Sequence, residues 1–194
     1  MIFFPKNLFF NIIFLFILFY TTLFPAKTIA SQQAFFKNII ITNTKKDLIS
    51  YFDVKEAFAK EIEQAVLNGV PTTFSFFINV YKVRTAWFDK KISEFKITST
   101  LKYNNLKKEF IIYRSWKTDK PSIVKSFGQA KKMMVQINNF KTVSLASLKK
   151  GEKYQIRVKA ELDKVTLPLY LHYIFFFVSL WDFETNWHTI DFIY

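Results

Sequence analysis

The apolar residues of the chain change their period near position 70. From Phe58 to Val66 they recur at helical spacing and predict an amphipathic helix. From Phe74 to Val80 they alternate with other residues, which predicts a long half-buried strand at the centre of a sheet. Between the two segments, Asn68 and Gly69 followed by Pro71 predict a left-handed helix end, because proline cannot continue the helix.

Polar residues at the starts of two helical segments predict where each helix begins. Asp53 and Glu56 stand three residues apart, which is the spacing of a capping box, and predict the start of the first helix. Ser126 is expected to cap a second helix that runs from Phe127 to Ile137.

The remaining segments alternate like strands. Strands are predicted over residues 36–44, 48–54, 92–103, 109–116, 140–145 and 154–162. Residues 117–122 are expected to form a polar loop, whereas Trp181 to Trp187 alternate aromatic and polar residues, as a strand does. Several short strands with two helices between them favour a mainly-β fold, namely a single-domain antiparallel β-sandwich of immunoglobulin-like type.

The first thirty residues predict export. Lys6 precedes an apolar run from Leu8 to Tyr20, and Thr28-Ile29-Ala30 has the small residues of a cleavage site before Ser31. A signal peptide over residues 1–30 and an exported β-rich domain over residues 31–194 are therefore expected, in the periplasm or at the periplasmic face of the inner membrane. An uncleaved N-terminal anchor helix is the alternative, since the apolar run approaches the length that spans a bilayer.

Composition narrows the classes of partner. The net charge is +13, which favours anionic surfaces, but 25 of the 28 basic residues are lysines. Nucleic-acid binders concentrate arginine for bidentate contacts, so no nucleic-acid partner is expected. Cysteine is absent, and the exported domain is therefore expected to depend on core packing without disulfides.

The sequence contains no recognisable catalytic or metal motif. His172 and His188 are its two histidines, and neither has a partner at ligand spacing, so no metal or cofactor is predicted. Asp182 and Glu184 would share one face of a strand, and such a carboxylate pair leaves a hydrolase as one alternative.

Aromatic residues flanked by polar ones mark two segments, around Trp87 and from Trp181 to Trp187. These segments are expected to pack as a small aromatic cluster under loops or, if they meet on one surface, to form a partner site, since tryptophan favours sites with one wet side. The candidate residues are Arg84, Trp87, Asp89, Asp182, Glu184 and Trp187.

An ordered series of short motifs resembles one family. Ala65 to Phe74 is similar to the helix-end pattern Ala-Leu-x-x-Gly-(Val/Ile)-Pro-Leu-Thr-Phe, with Thr72 where leucine is usual. Further motifs follow in the expected order: Leu101-x-Tyr103-x-x-Leu106, Gly151-x-x-Tyr154-x-x-Arg157-Val158, Leu162-Asp163-x-x-x-Leu167-Pro168, Trp181 and Trp187. Phe88 replaces a common second tryptophan. The chain resembles the bacterial exported family called domain of unknown function 4390, which implies envelope localisation and no known catalytic residue.

The patterns favour a non-catalytic binding or accessory module of the bacterial envelope, whose partner is an envelope protein or an anionic membrane surface. The alternatives are a membrane-surface protein with a retained anchor and a hydrolase that uses Asp182 and Glu184.

Overall fold

Two antiparallel β-sheets face one another across an apolar core. The computed structural model describes residues 34–117, 120–163 and 183–194. The strands are β1 (Phe35–Asn43), β2 (Asp47–Lys55), β3 (Thr72–Lys82), β4 (Lys90–Asn104), β5 (Glu109–Arg114), β6 (Ser122–Val124), β7 (Gln136–Ser144), β8 (Lys153–Leu162) and β9 (His188–Ile193), and the helices are α1 (Lys60–Leu67) and α2 (Phe127–Val135). The mainly-β antiparallel sandwich with two helices is confirmed, while the expected leader at residues 1–30 lies outside the described residues.

The larger sheet has the strand order β6-β5-β4-β3-β8-β9, and the smaller has the order β1-β2-β7. The long strand β3 pairs antiparallel with β4 on one side and β8 on the other, so its predicted central place is confirmed. Phe76, Ile78 and Val80 are fully buried, and each such side chain contributes roughly 1.5–3 kcal/mol. Phe76 reaches Phe52 of the smaller sheet with ring centroids 6.3 Å apart.

The predicted helix end at Gly69 is confirmed. Gly69 has φ +86°, and its N–H donates to the carbonyl of Val66 at 2.9 Å. The N–H of Val70 donates to the carbonyl of Ala65, also at 2.9 Å. The two bonds form a Schellman motif, which satisfies carbonyls at the end of α1 and requires a left-handed residue.

The predicted start of α1 is wrong. Asp53 lies in β2, opposite Lys37 of β1 and Gln136 of β7, and α1 begins only at Lys60 with Ala59 as its N-cap. Pairing on both sides supplies the backbone hydrogen bonds of β2 through Asp53, and pairing with β1 continues to Lys55, so the strand continues where the local spacing favoured a helix. Glu56, at φ +56°, then turns the chain out of the sheet.

The second helix starts as predicted but ends earlier. The hydroxyl of Ser126 accepts from the N–H of Gln129 at 3.5 Å, while α2 stops at Val135 instead of Ile137. Ile137 already belongs to β7, opposite Phe52, where strand pairing replaces the helical hydrogen bonds. The predicted polar loop at 117–122 also ends in a short strand, since Ser122 begins β6.

Both helices cover the core on the same side of the larger sheet as the smaller sheet does. The ring of Phe58, just before α1, meets Phe74 of β3 and Phe127 of α2. Among the described residues, neither helix is long and apolar enough to cross a membrane.

Candidate binding surface

The larger sheet has a face turned away from the smaller sheet, called the outer face below. On β3 this face carries Phe77, Asn79 and Tyr81, which alternate with the buried core residues. The ammonium of Lys96 lies 5.2 Å from the ring centre of Phe77, and the guanidinium of Arg157 lies 4.4 Å from that of Tyr81. Both distances are within the range of cation–π attraction. Two basic side chains therefore lie over aromatic rings on this face, where solvated polar residues are more usual.

Asp89 joins the connection between β3 and β4 to this face. Its carboxylate accepts from Nη2 of Arg157 at 2.8 Å and from the backbone N–H of Arg84 at 3.4 Å. The Nε of Arg157 donates to Gln155, so the guanidinium is held by several contacts. A guanidinium fixed in this way can position Asp89 instead of pairing loosely in solvent.

Lys159 joins the C-terminal segment to the same face. Its Nζ lies 2.7 Å from Oε2 of Glu184 and 3.7 Å from Oε2 of Glu161. The hydrogen bond to Glu184 raises the pKa of the Lys159 ammonium above its ordinary value, against the opposing effect of burial. The ring of Trp187 lies 6.5 Å from that of Phe77 and is 48% exposed.

Arg157 and Lys159 stand two residues apart on one face of β8, a separation of about 7 Å. Asp89 and Glu184, which are 95 positions apart in the chain, are therefore anchored to neighbouring cations. The outer-face surface is defined by Phe77, Tyr81, Lys96, Arg157, Lys159 and Trp187.

The C-terminal segment is not the one regular strand over residues 183–187 that its alternation of aromatic and polar residues predicts. Phe183 packs on the core side, where its ring is 5.1 Å from that of Phe74, whereas Trp187 meets Phe77 on the outer face. Two pairings of the C-terminal segment with β8 differ in register by one residue. The first is the bridge between Glu161 and Glu184, and the second is the pairing of Val158 with His188. A one-residue slip reverses the faces, and the regular strand begins only at His188.

The six predicted residues therefore fall into three groups. Trp187 belongs to the outer-face surface, where Asp89 and Glu184 pair with its cations, and Asp182 lies outside the described residues. Arg84 and Trp87 lie at the exposed end of the β3–β4 hairpin, where Trp87 and Phe88 are 73% and 85% exposed. The expectation that these two aromatic residues are exposed is confirmed.

One buried polar residue of the outer face, Asn79, is not singled out by the sequence pattern. Asn79 is 7% exposed, and its Oδ1 has no hydrogen-bond partner among the described residues. A buried polar atom without a partner is rare in folded proteins. The signal available in the sequence is the placement of Asn79 between Phe77 and Tyr81, on the face opposite the core.

The described residues offer little for metal-dependent chemistry. Within residues 34–117, 120–163 and 183–194, no three His, Cys, Asp or Glu side chains converge to hold a metal ion. A separate cavity of about 580 Å³ lies beside β4 and β5, where Nη2 of Arg114 donates to the hydroxyl of Ser122 at 2.6 Å. Glu184, from the carboxylate pair considered above, is held by Lys159, and its side chain is 61% exposed.

Comparison with known proteins identifies the family. A family model described as "Domain of unknown function (DUF4390)" matches residues 31–191 of the 194-residue chain. The chain belongs to this family, which confirms the resemblance found in its motifs. No curated protein and no solved structure matches the chain.

Proposed function

We propose that this member of the DUF4390 family is an exported, non-catalytic binding module of the cell envelope that holds a protein partner on its outer-face surface. Export is supported by the leader pattern of residues 1–30, and the binding role is supported by the surface itself.

One observation carries the proposal. Two segments that are distant in sequence are both anchored by ion pairs to adjacent cations of β8, Asp89 to Arg157 and Glu184 to Lys159. The anchored Glu184 lies three residues before the exposed Trp187, on the face where the sheet already places two half-buried rings and three basic side chains. Interfaces are enriched in aromatic residues and arginine, because these side chains combine apolar area with a polar end.

The test is affinity capture from envelope extracts with the tagged protein and two double variants. Lys96→Ala/Trp187→Ala removes one cation and one exposed ring from the outer-face surface. Lys102→Ala/Leu106→Ala removes an equivalent lysine and apolar side chain near the β4–β5 turn, where Leu106 is 96% exposed.

The proposal predicts a protein that is captured by the wild type and by the β4–β5 control but lost by the outer-face variant. Thermal unfolding checks that both variants keep their fold. A folded outer-face variant that still captures every partner would refute the proposal.

A further inference from the structure

We infer that the end of the sandwich around Trp87 and Phe88 docks on an anionic phospholipid bilayer. This inference concerns a different surface from the outer face and does not depend on the protein partner proposed above.

The apex of this end is a pair of exposed aromatic rings. Trp87 and Phe88, in the connection between β3 and β4, are 73% and 85% exposed, and their ring centroids are 6.1 Å apart in an edge-to-face arrangement. They protrude from a hairpin, whereas small molecules bind in concave sites. A protruding ring pair instead fits the interface of a bilayer, where tryptophan has one apolar and one wet side.

Three turns of the fold meet at this end. The N–H of Leu145 donates to the carbonyl of Lys46 at 2.8 Å, which brings the β1–β2 turn to the chain before β8. The N–H of Lys149 donates to the hydroxyl of Tyr154, also at 2.8 Å. The N–H of Val83 donates to the carbonyl of Lys153 at 3.0 Å, which joins β8 to the aromatic hairpin.

These turns and the adjoining strand ends carry exposed lysines at the same end of the sandwich as the ring pair. The six that form this basic rim are Lys45, Lys46, Lys90, Lys149, Lys150 and Lys153. Within the part of the chain that the structure describes, none of the six forms an ion pair.

Three acidic residues near this end, Asp47, Asp89 and Glu152, pair with cations outside the basic rim, and Asp89 pairs with Arg157 at 2.8 Å. Asp47 pairs with Lys141 at 3.1 Å. Glu152 pairs with Lys82 at 2.8 Å, and that hydrogen bond lowers the pKa of Glu152 below its ordinary value. These acidic residues therefore do not neutralise the positive charge of the basic rim, which faces solvent.

The lysine composition of the basic rim favours binding to lipid headgroups over binding to nucleic acid or to a specific carboxylate. Lysine is a flexible, strongly hydrated point charge, which suits a fluid layer of headgroups, whereas arginine suits fixed bidentate contacts. Anionic headgroups attract basic residues near the surface, and this attraction is screened within a Debye length. An end of the sandwich that carries exposed aromatic rings and unpaired lysines is thus complementary to an anionic bilayer.

The test is co-sedimentation of the protein, in the processed form isolated from its own envelope, with vesicles. One set is pure phosphatidylcholine, and the other contains about one third phosphatidylglycerol, whose headgroup is anionic. The variants are Trp87→Ala/Phe88→Ala at the apex and Lys149→Glu/Lys150→Glu in the rim. Leu106→Ala and Lys107→Glu/Lys108→Glu are the matched controls, because β4 runs from the aromatic hairpin to the β4–β5 turn at the other end.

The wild type should partition onto the anionic vesicles at least about tenfold more strongly than onto phosphatidylcholine, with binding reduced by salt. Each apex or rim variant should lose about tenfold or more of this partition, while both controls stay within about twofold. Lys96→Ala/Trp187→Ala should also bind vesicles like the wild type, which separates this inference from the outer-face proposal.

Binding that is equal on both kinds of vesicle would overturn the inference, as would equal losses in the apex and control variants. Circular dichroism verifies the fold of each variant. If Trp87→Ala/Phe88→Ala is unfolded, the vesicle binding of Lys149→Glu/Lys150→Glu decides whether the inference holds, because that variant changes only two exposed lysines.

Discussion

Replacement of Gly69 by alanine tests the junction between α1 and β3, from which the central strand begins. At φ +86° an alanine is strained, and the left-handed conformation costs an L-residue roughly 1–2 kcal/mol. The added Cβ would lie 3.4 Å from the side-chain nitrogen of Asn105, a flexible neighbour that can move. Backbone strain therefore dominates, and the free energy of unfolding should fall by about 1–2 kcal/mol.

Two other glycines provide matched controls. Gly151 also has a positive φ of +78°, and its added Cβ would meet nothing within 4 Å, so Gly151→Ala should show the strain alone, about 1 kcal/mol. Gly128 lies in the first turn of α2, where alanine is the better helix former, so Gly128→Ala should be neutral or stabilise by up to about 1 kcal/mol.

The assay is equilibrium unfolding in urea, with the midpoint and the slope fitted for each variant. The expected order of stability is Gly128→Ala, wild type, Gly151→Ala and Gly69→Ala. A Gly69→Ala variant as stable as Gly128→Ala would show that the Schellman end of α1 is not a constraint on the fold.

Three further predictions concern the core, the ion pair and export. Phe76→Ala removes a ring with no exposed surface and should lower the free energy of unfolding by about 3–5 kcal/mol in urea melts. Phe77→Ala, on the outer face, should lower it clearly less. Equal losses from the two variants would contradict the assignment of faces. The raised pKa of Lys159 means that its ion pair stabilises the fold below the ordinary lysine pKa of about 10.4 and that this stability is lost as the pH rises through the raised value. Glu184→Gln should lower the pKa of Lys159 toward the ordinary value in an NMR titration, and an unchanged pKa would disprove the pairing. N-terminal sequencing of the native protein should begin at Ser31, whereas a chain that begins at Met1 and fractionates with membranes would favour the retained anchor.

The sequence predicts the parts of the fold that local chemistry decides. The alternation from Phe74 to Val80 identifies β3, because a strand with one buried face needs period two. Gly69 and Pro71 predict the helix end, because few residue types adopt that backbone geometry. The position and buried face of β3 and the end of α1 therefore follow from the sequence.

The sequence does not predict the bounds and register of elements that depend on pairing between segments distant in the chain. Asp53 has the spacing of a helix cap, yet β1 and β7 hold it in a strand from both sides. The slip between Glu184 and His188 depends on the register with β8, which no local pattern contains. For the same reason the sequence marks Asp89 and Glu184 as candidates but does not reveal Arg157 and Lys159 as their common anchors.

Site-specific photocrosslinking tests the outer-face proposal most directly. A photoreactive phenylalanine analogue replaces Trp187 on the outer-face surface in one strain and Leu106 at the β4–β5 turn in another, and both positions are exposed. After illumination of intact cells, the proposal predicts a discrete protein adduct from position 187 and none from position 106. The same adducts from both positions, or none from position 187, would contradict it.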